Sequence, residues 1–384
     1  MKAISGFSII ITAAALSVLW LDSCCRHHKE KETAIDFGLS AKGTKAVVDN
    51  KDSLISLCFA DPQNTVGFGV YGYKTISNNP FRSFDNIEVI PDNRSNSTTW
   101  SYSPLRYWDS NSEASYQFIA YWPHVGTTSG TLGNGAYVSE ASKVLTIHNI
   151  PYWQDATQSS CADYMTAERV GNYSKGDFTD EQTGEVKVRF TFKHVLAKLI
   201  IRAYYVGIKK NPVRISGLSL SGSTVLSTDG KAAYSQPFGQ LNITPTFSGI
   251  ETSNTTHTLY SAAQGQYTEL PQTTWDDEDD DPNDHGYKEI CSWLMVPSSG
   301  WDDLELNIAY SIGAAGNGTA NSAHIEDFSL SSVVNNVPQT GQTLSANSYL
   351  VTLLFNSAGG DVTMQSVLVK DWVPDTITTG VYNW

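Results

Sequence analysis

Val186-Lys187-Val188-Arg189-Phe190-Thr191-Phe192 runs directly into Lys193-His194-Val195-Leu196-Ala197-Lys198-Leu199, and this stretch decides the fold class. Val186, Val188, Phe190 and Phe192 alternate with Lys187, Arg189 and Thr191, the period-two pattern of a strand with one buried face. Val195, Ala197, Leu199, Ile201 and Ala203 carry the alternation onward past His194. Working outward, Phe68 and Val70 alternate with Gly67 and Gly69, and residues 116–122 form an aromatic run that stops at Pro123. Further strands are predicted over 215–220, 291–296, 304–310, 349–355 and 362–372. No segment holds an apolar period of 3.6 residues over three turns, so helices should be short and few. The chain is read as all-β.

Length and composition agree. At 384 residues the chain suggests two domains, on a scale of roughly 100–200 residues each. Aromatic residues make up 11% and charged residues only 17%, which excludes intrinsic disorder. Acids outnumber bases 39 to 25, for a net charge of −14, which argues against a nucleic-acid partner. The polar stretch 171–185 lies near the middle of the chain and is read as the inter-domain connection. A second polar stretch, residues 275–285, holds seven acids and a proline and is read as a solvated loop. Its spacing fails the EF-hand calcium template, so no specific metal site is assigned to it.

The first 23 residues read as a targeting signal. Lys2 is followed by an apolar run over 7–21, too short for a confident spanning helix. The run ends in Leu21-Asp22-Ser23-Cys24, which resembles a bacterial lipobox despite Asp22. The resemblance implies cleavage before Cys24, lipidation at that residue and a membrane anchor. The competing reading is a secretory signal with a chance cysteine. Cys58, Cys161 and Cys291 are far apart among apolar neighbours and read as buried free thiols. Nothing resembling a nucleophile elbow, a zinc-protease helix motif, a P-loop or a dinucleotide fingerprint is present. The eight histidines are scattered, and His194 reads as structural. No catalytic residue, cofactor or metal ligand is therefore assigned.

Several pieces, in order, resemble the fimbrillin family of Bacteroidetes, the subunits of type V pili. After the lipoprotein-like signal come Ala34-Ile35-Asp36-Phe37-Gly38-Leu39 and Gly43-Thr44-Lys45-Ala46-Val47. Then Trp100-Ser101-Tyr102-Ser103-Pro104-Leu105-Arg106-Tyr107-Trp108 leads into Tyr116-Gln117-Phe118-Ile119-Ala120-Tyr121-Trp122-Pro123. Asp163-Tyr164-Met165-Thr166-Ala167 precedes the Val188–Leu199 run, and residues 349–354 and 367–372 resemble the closing strands.

The resemblance implies two transthyretin-like β-sandwich domains, 46–182 and 183–384, preceded by a signal (1–23) and a propeptide (24–45). It also implies an assembly route. A protease removes the N-terminal peptide with its first strand, and a strand from a neighbouring subunit fills the vacated groove. Ile35, Phe37 and Leu39, alternating with Asp36 and Gly38, are the candidate removable strand. Their ordinary reading is the first strand of a monomer. Where the family typically has an arginine this chain has Lys45, so the implied cut falls between Lys45 and Ala46 and needs a protease that accepts lysine. Val381 and Trp384, near the C-terminus, are the candidate plugs of a donor segment for a shaft subunit; the competing role is a tip subunit, which accepts a strand and donates none. The implied partners are other pilus subunits, the membrane before processing, and a host glycan or protein ligand. Aromatic side chains read first as core packing. A competing function is a surface lipoprotein that binds glycans through exposed Trp122, Trp153 or Trp275.

Overall fold

Tyr116, Phe118, Ala120 and Trp122 point to one side of their strand while Ile119 and Tyr121 point to the other, and both sides are buried. That strand is the middle of a sheet with a hydrophobic core on each face, and the rest of the fold is arranged around it. The computed structural model describes residues 33–39, 54–55, 58–59, 65–93, 99–126, 135–139, 143–158, 161–206, 211–238, 245–263, 266–272, 286–299, 304–313, 319–325, 347–356 and 362–371.

Along the chain the strands are β1 (Phe37–Leu39), β2 (Phe68–Ile76), β3 (Asn79–Pro91), β4 (Trp100–Ser101), β5 (Ser115–Trp122), β6 (Ala136–Val138), β7 (Val144–Pro151), β8 (Trp153–Asp155) and β9 (Met165–Tyr173). A 3₁₀ turn, Lys175–Phe178, follows. Then come β10 (Val188–Phe190), β11 (Lys193–His194), β12 (Ala197–Val206), β13 (Val213–Gly222), β14 (Lys231–Pro237), β15 (Thr246–Ser248), β16 (Thr255–Ser261) and β17 (Thr268–Glu269). The last are β18 (Lys288–Met295), β19 (Glu305–Ile312), β20 (Thr319–Ile325), β21 (Asn347–Asn356) and β22 (Val362–Asp371). The chain is all-β, as its patterning predicts.

Among the described residues the strands form five sheets. The largest has the order β11-β9-β5-β2-β3-β4. Three others read β22-β21-β12-β18-β8, β16-β13-β19-β20 with β17 beside β13, and β15-β14-β7-β6. The fifth is the parallel pair β1–β10. Four pairings cross residue 183: β1 with β10, β9 with β11, β7 with β14, and β8 with β18.

The β2–β3 hairpin turns on Ser77 and Asn78, both at positive φ, the two-residue turn whose twist matches antiparallel strands. Glycine in β2 makes room for aromatics across the sheet. A Cβ on Gly69 would lie 2.2 Å from the Tyr121 ring.

One core gathers Phe37, Phe68, Phe84, Trp100, Tyr102, Trp108, Tyr116, Phe118, Trp122, Val188, Phe190 and Phe192 on one face of the six-stranded sheet. The other begins at Tyr71, Tyr73, Ile119 and Tyr121 on the opposite face and runs on through β7, β12, β13, β18, β19 and β21.

The run that patterns as one strand over 186–203 serves three sheets. β10 pairs β1, β11 pairs β9, and β12 sits between β18 and β21. Alternation fixes which side chains face a core; it leaves the neighbouring strand unspecified. The stretch 171–185, read as a connection, is an ordered return. Asp177 and Ser174 close the 3₁₀ turn, and Asp180 accepts hydrogen bonds from the N–H groups of Gln182 and Thr183.

Cys58 and Cys291 are buried free thiols and Cys161 is partly buried. Burial pushes Cys58 and Cys161 up to about 12, and Cys291 upward as well, so none is a nucleophile at neutral pH. His194 is buried with Nδ1 2.8 Å from an Asp163 carboxylate oxygen, the structural role expected of it.

Candidate functional site

The candidate removable strand is seated in the first core. Ile35 and Phe37 are buried, at 2% and 0% exposure, and Leu39 is half-buried at the rim. Phe37 fills a pocket of four rings. Its centroid lies 5.2 Å from Phe84, 5.4 Å from Tyr102, 5.7 Å from Phe118 and 5.9 Å from Phe190. Three of these contacts are edge-on, the favoured aromatic geometry, and the fourth is stacked.

Main-chain contacts hold the segment from two sides. On one, Phe37, Gly38 and Leu39 register in parallel with Val188, Arg189 and Phe190, and the Val188 N–H donates to the Asp36 carbonyl at 2.8 Å. On the other, the Ile35 N–H donates to the Arg106 carbonyl at 2.8 Å and the Trp108 N–H to the Thr33 carbonyl at 3.0 Å. The Tyr102 hydroxyl donates to the Ile35 carbonyl at 2.7 Å. Burial raises the Tyr102 pKa, so it remains a donor across the ordinary pH range. The segment thus bridges two edges, β10 and residues 106–108. Its removal would leave a row of unpaired carbonyl and N–H groups beside an empty aromatic pocket.

Sequence patterning missed a polar part of this site. Lys187 occupies the outward position between Val186 and Val188 and reads as solvent-facing. Its side chain is only 8% exposed. Its Nζ lies 3.2 Å from Asp36 Oδ2 and 2.7 Å from Glu185 Oε1. Burial opposes the charge, but these two carboxylates outweigh it and raise the Lys187 pKa. Gly38 roofs the lysine stem: a Cβ there would meet Lys187 Cδ at 2.7 Å. The cue that could have shown this was the neighbourhood of Asp36 and Gly38, which only the parallel β1–β10 pairing brings to Lys187.

The other assigned residues are placed as follows. Cys24, Lys45, Ala46, Val381 and Trp384 lie outside the described residues, as do Trp275 and the acidic loop. Trp122 and Trp153, the exposed platforms of the glycan reading, are in fact buried at 5% and 7%. Trp122 belongs to the first core. Trp153 packs in the second, stacked 4.3 Å from His257, with its indole N–H donated to the Leu226 carbonyl. The apolar surfaces on both sides of β5 and between β8 and β16 cover these rings, so neither offers a face to a sugar. Two exposed rings, Tyr267 and Tyr287, are overlaid by the guanidinium groups of Arg214 and Arg202.

His257 carries a pH consequence. It is 3% exposed, between Trp153 and an edge-on Trp293, and neither ring nitrogen has a hydrogen-bond partner. Burial pushes its pKa down to about 4. Between about pH 6.5 and that value the unfolded chain takes a proton that the folded ring refuses, so stability falls with pH by up to about 3 kcal/mol. Below it both states are protonated and the loss stops. Partial desolvation raises the pKa values of surface Glu168 and half-buried Glu289, which act in the opposite sense. Comparing His257→Phe with the parent chain isolates the histidine. The variant should keep its denaturation midpoint from pH 6.5 to 4.5 better than the parent, and parallel pH profiles would refute this.

A family model described as fimbrillin-like matches residues 44–290. A fimbrial protein from Bacteroides vulgatus superposes with a TM-score of 0.51 at 18% identity, covering 88% of this chain and 99% of that one, and shows the shared fold. A candidate cell adhesion protein from Bacteroides uniformis gives 0.44 at 16% identity, over 90% of this chain and 99% of its own. The tip fimbrial protein of Porphyromonas gingivalis, solved with its C-terminus truncated, gives 0.35 at 9% identity over 89% and 100%. No curated protein matches the chain.

Proposed function

Because this chain belongs to the fimbrillin-like family, we propose that it is a non-enzymatic structural subunit of a cell-surface pilus, assembled by strand replacement. The observation that carries the reading is β1. It is a three-residue strand, it precedes Lys45, and its Phe37 completes an aromatic core otherwise built from later residues. In the proposed sequence of events the chain is exported as a lipoprotein anchored through Cys24 to the outer membrane. A protease cuts between Lys45 and Ala46, β1 leaves, and a strand from a neighbouring subunit enters against β10 and residues 106–108. Main-chain pairing supplies affinity and the Phe37 pocket supplies register.

The division into units 46–182 and 183–384, each a transthyretin-like sandwich, is part of the proposal. The β7–β14, β8–β18 and β9–β11 ladders bridge that division, so the units are stitched together by strands as well as by one connection. The segment with Val381 and Trp384 is the proposed donor strand for the next subunit. A chain ending at Trp372 should then enter a polymer without extending it.

N-terminal sequencing of surface-assembled protein tests the central claim. A first residue at Ala46 is the expected result. Assembled protein that still carries residues 33–39 would overturn it.

A further inference from the structure

Resting on the strand-replacement reading, we infer that the groove selects its incoming strand by sequence, with Lys187 as the specificity-determining residue. The preferred occupant is a strand of a neighbouring subunit other than a second copy of this chain, whose own donor segment has Gly380 before Val381 and Asn383 before Trp384. The preferred strand carries a carboxylate one residue before the apolar side chain that enters the Phe37 pocket, and glycine one residue after it.

The argument starts from what the seated strand does to Lys187. Its stem lies under Gly38, with Cδ, Cγ and Cε at 2.7, 3.4 and 3.8 Å from where a Cβ would stand. Any side chain at that register must displace the lysine, so glycine fits and a larger residue does not. The same coverage takes the ammonium group largely out of water, which costs free energy unless carboxylates compensate. Glu185 is one such carboxylate and belongs to the groove. Asp36 is the other and belongs to the strand.

Asp36 is also held in position to do this. Its Oδ1 accepts the Phe37 N–H at 2.8 Å while Oδ2 faces Lys187 at 3.2 Å. One carboxylate therefore braces the strand at the pocket residue and neutralises the groove. An asparagine has a single oxygen and no charge, and cannot do both. Charge complementarity at one register position and steric exclusion two residues later together read the incoming sequence. A ladder of main-chain bonds would accept any extended chain; this pair of contacts discriminates.

The test uses the full chain with a site-specific protease sequence in place of residues 40–46, nicked after folding. Labelled peptides spanning residues 34–39 are added, one with the native sequence and one with D36N, and their affinities are compared. Asp36 is over a third exposed, so the charged contact is partly screened, and the native peptide should bind about fivefold more tightly. In Lys187→Met, which keeps the stem, the ratio should fall to about one. If that variant folds poorly, salt provides the second reading, since the ratio in the unmutated nicked chain should shrink as ionic strength rises. Equal affinities in the unmutated chain, or a preference indifferent to both Lys187→Met and salt, would overturn the inference alone. If neither peptide enters a nicked chain that remains folded, strand replacement itself is wrong and the inference falls with it.

Discussion

Phe37→Ala is expected to lower stability by about 3–5 kcal/mol, the range for truncating a fully buried phenylalanine. The ring is 0% exposed, and four surrounding rings converge on it from four strands or loops that are themselves fixed by hydrogen bonds. Phe84, Tyr102 and Phe118 cannot all move inward. Phe84 and Phe118 are 5.8 Å apart and already in contact, and Tyr102 is held by its bond to the Ile35 carbonyl. The cavity should therefore persist and the cost lie toward the upper end. Leu39→Ala, at the half-buried rim, should cost about 1 kcal/mol by the same area argument. Denaturant midpoints of the two variants check this. A Phe37→Ala loss no larger than that of Leu39→Ala would mean that β1 is not part of the core.

Loss of effective concentration explains how one peptide-bond cleavage could empty the groove. An interaction of 4.1 kcal/mol corresponds to a dissociation constant of about 1 mM. While β1 is covalently attached, its effective concentration is of that order or higher and it remains seated. Once the chain is cut that effective concentration is lost, and the released segment competes for the groove only at the far lower concentrations of a cell surface. Lys45→Gln, which removes the proposed cleavage residue, is accordingly expected to abolish surface polymer and leave full-length lipidated monomer, whereas Lys45→Arg should assemble normally. Gel ladders of unheated surface protein, with mass spectrometry of the N-terminus, read the outcome. Undiminished polymer from Lys45→Gln would show that the cut lies elsewhere or does not occur.

The parts legible from sequence were those governed by local periodicity. The alternation at Val188, Phe190 and Phe192 names the buried side chains correctly, and the five strands expected after residue 212 fall within a few residues of β13, β18, β19, β21 and β22, whereas β14, β16 and β20 have no counterpart in the expectation. β3 was missed because Pro80, Arg82, Asp85 and Asn86 interrupt its apolar pattern, although the Ser77-Asn78 turn and the β2 ladder make it the longest strand described. Pairing was not legible at all. Nothing local to residues 186–203 indicates that successive segments join different sheets. For the same reason Lys187 reads as solvated, and the glycan alternative, against the leading core-packing reading, takes Trp122 and Trp153 as exposed. Each was assigned from its own strand, whereas its burial comes from a segment distant in sequence: β1 for Lys187, the first core for Trp122, and β16 for Trp153.

Most strands at a protein surface have a side on which substitutions accumulate at little cost. β5 has none from Phe118 to Trp122, because one set of side chains enters the first core and the other enters the second. Any change there alters the volume of one interior or the other, so every substitution in this stretch carries a packing cost.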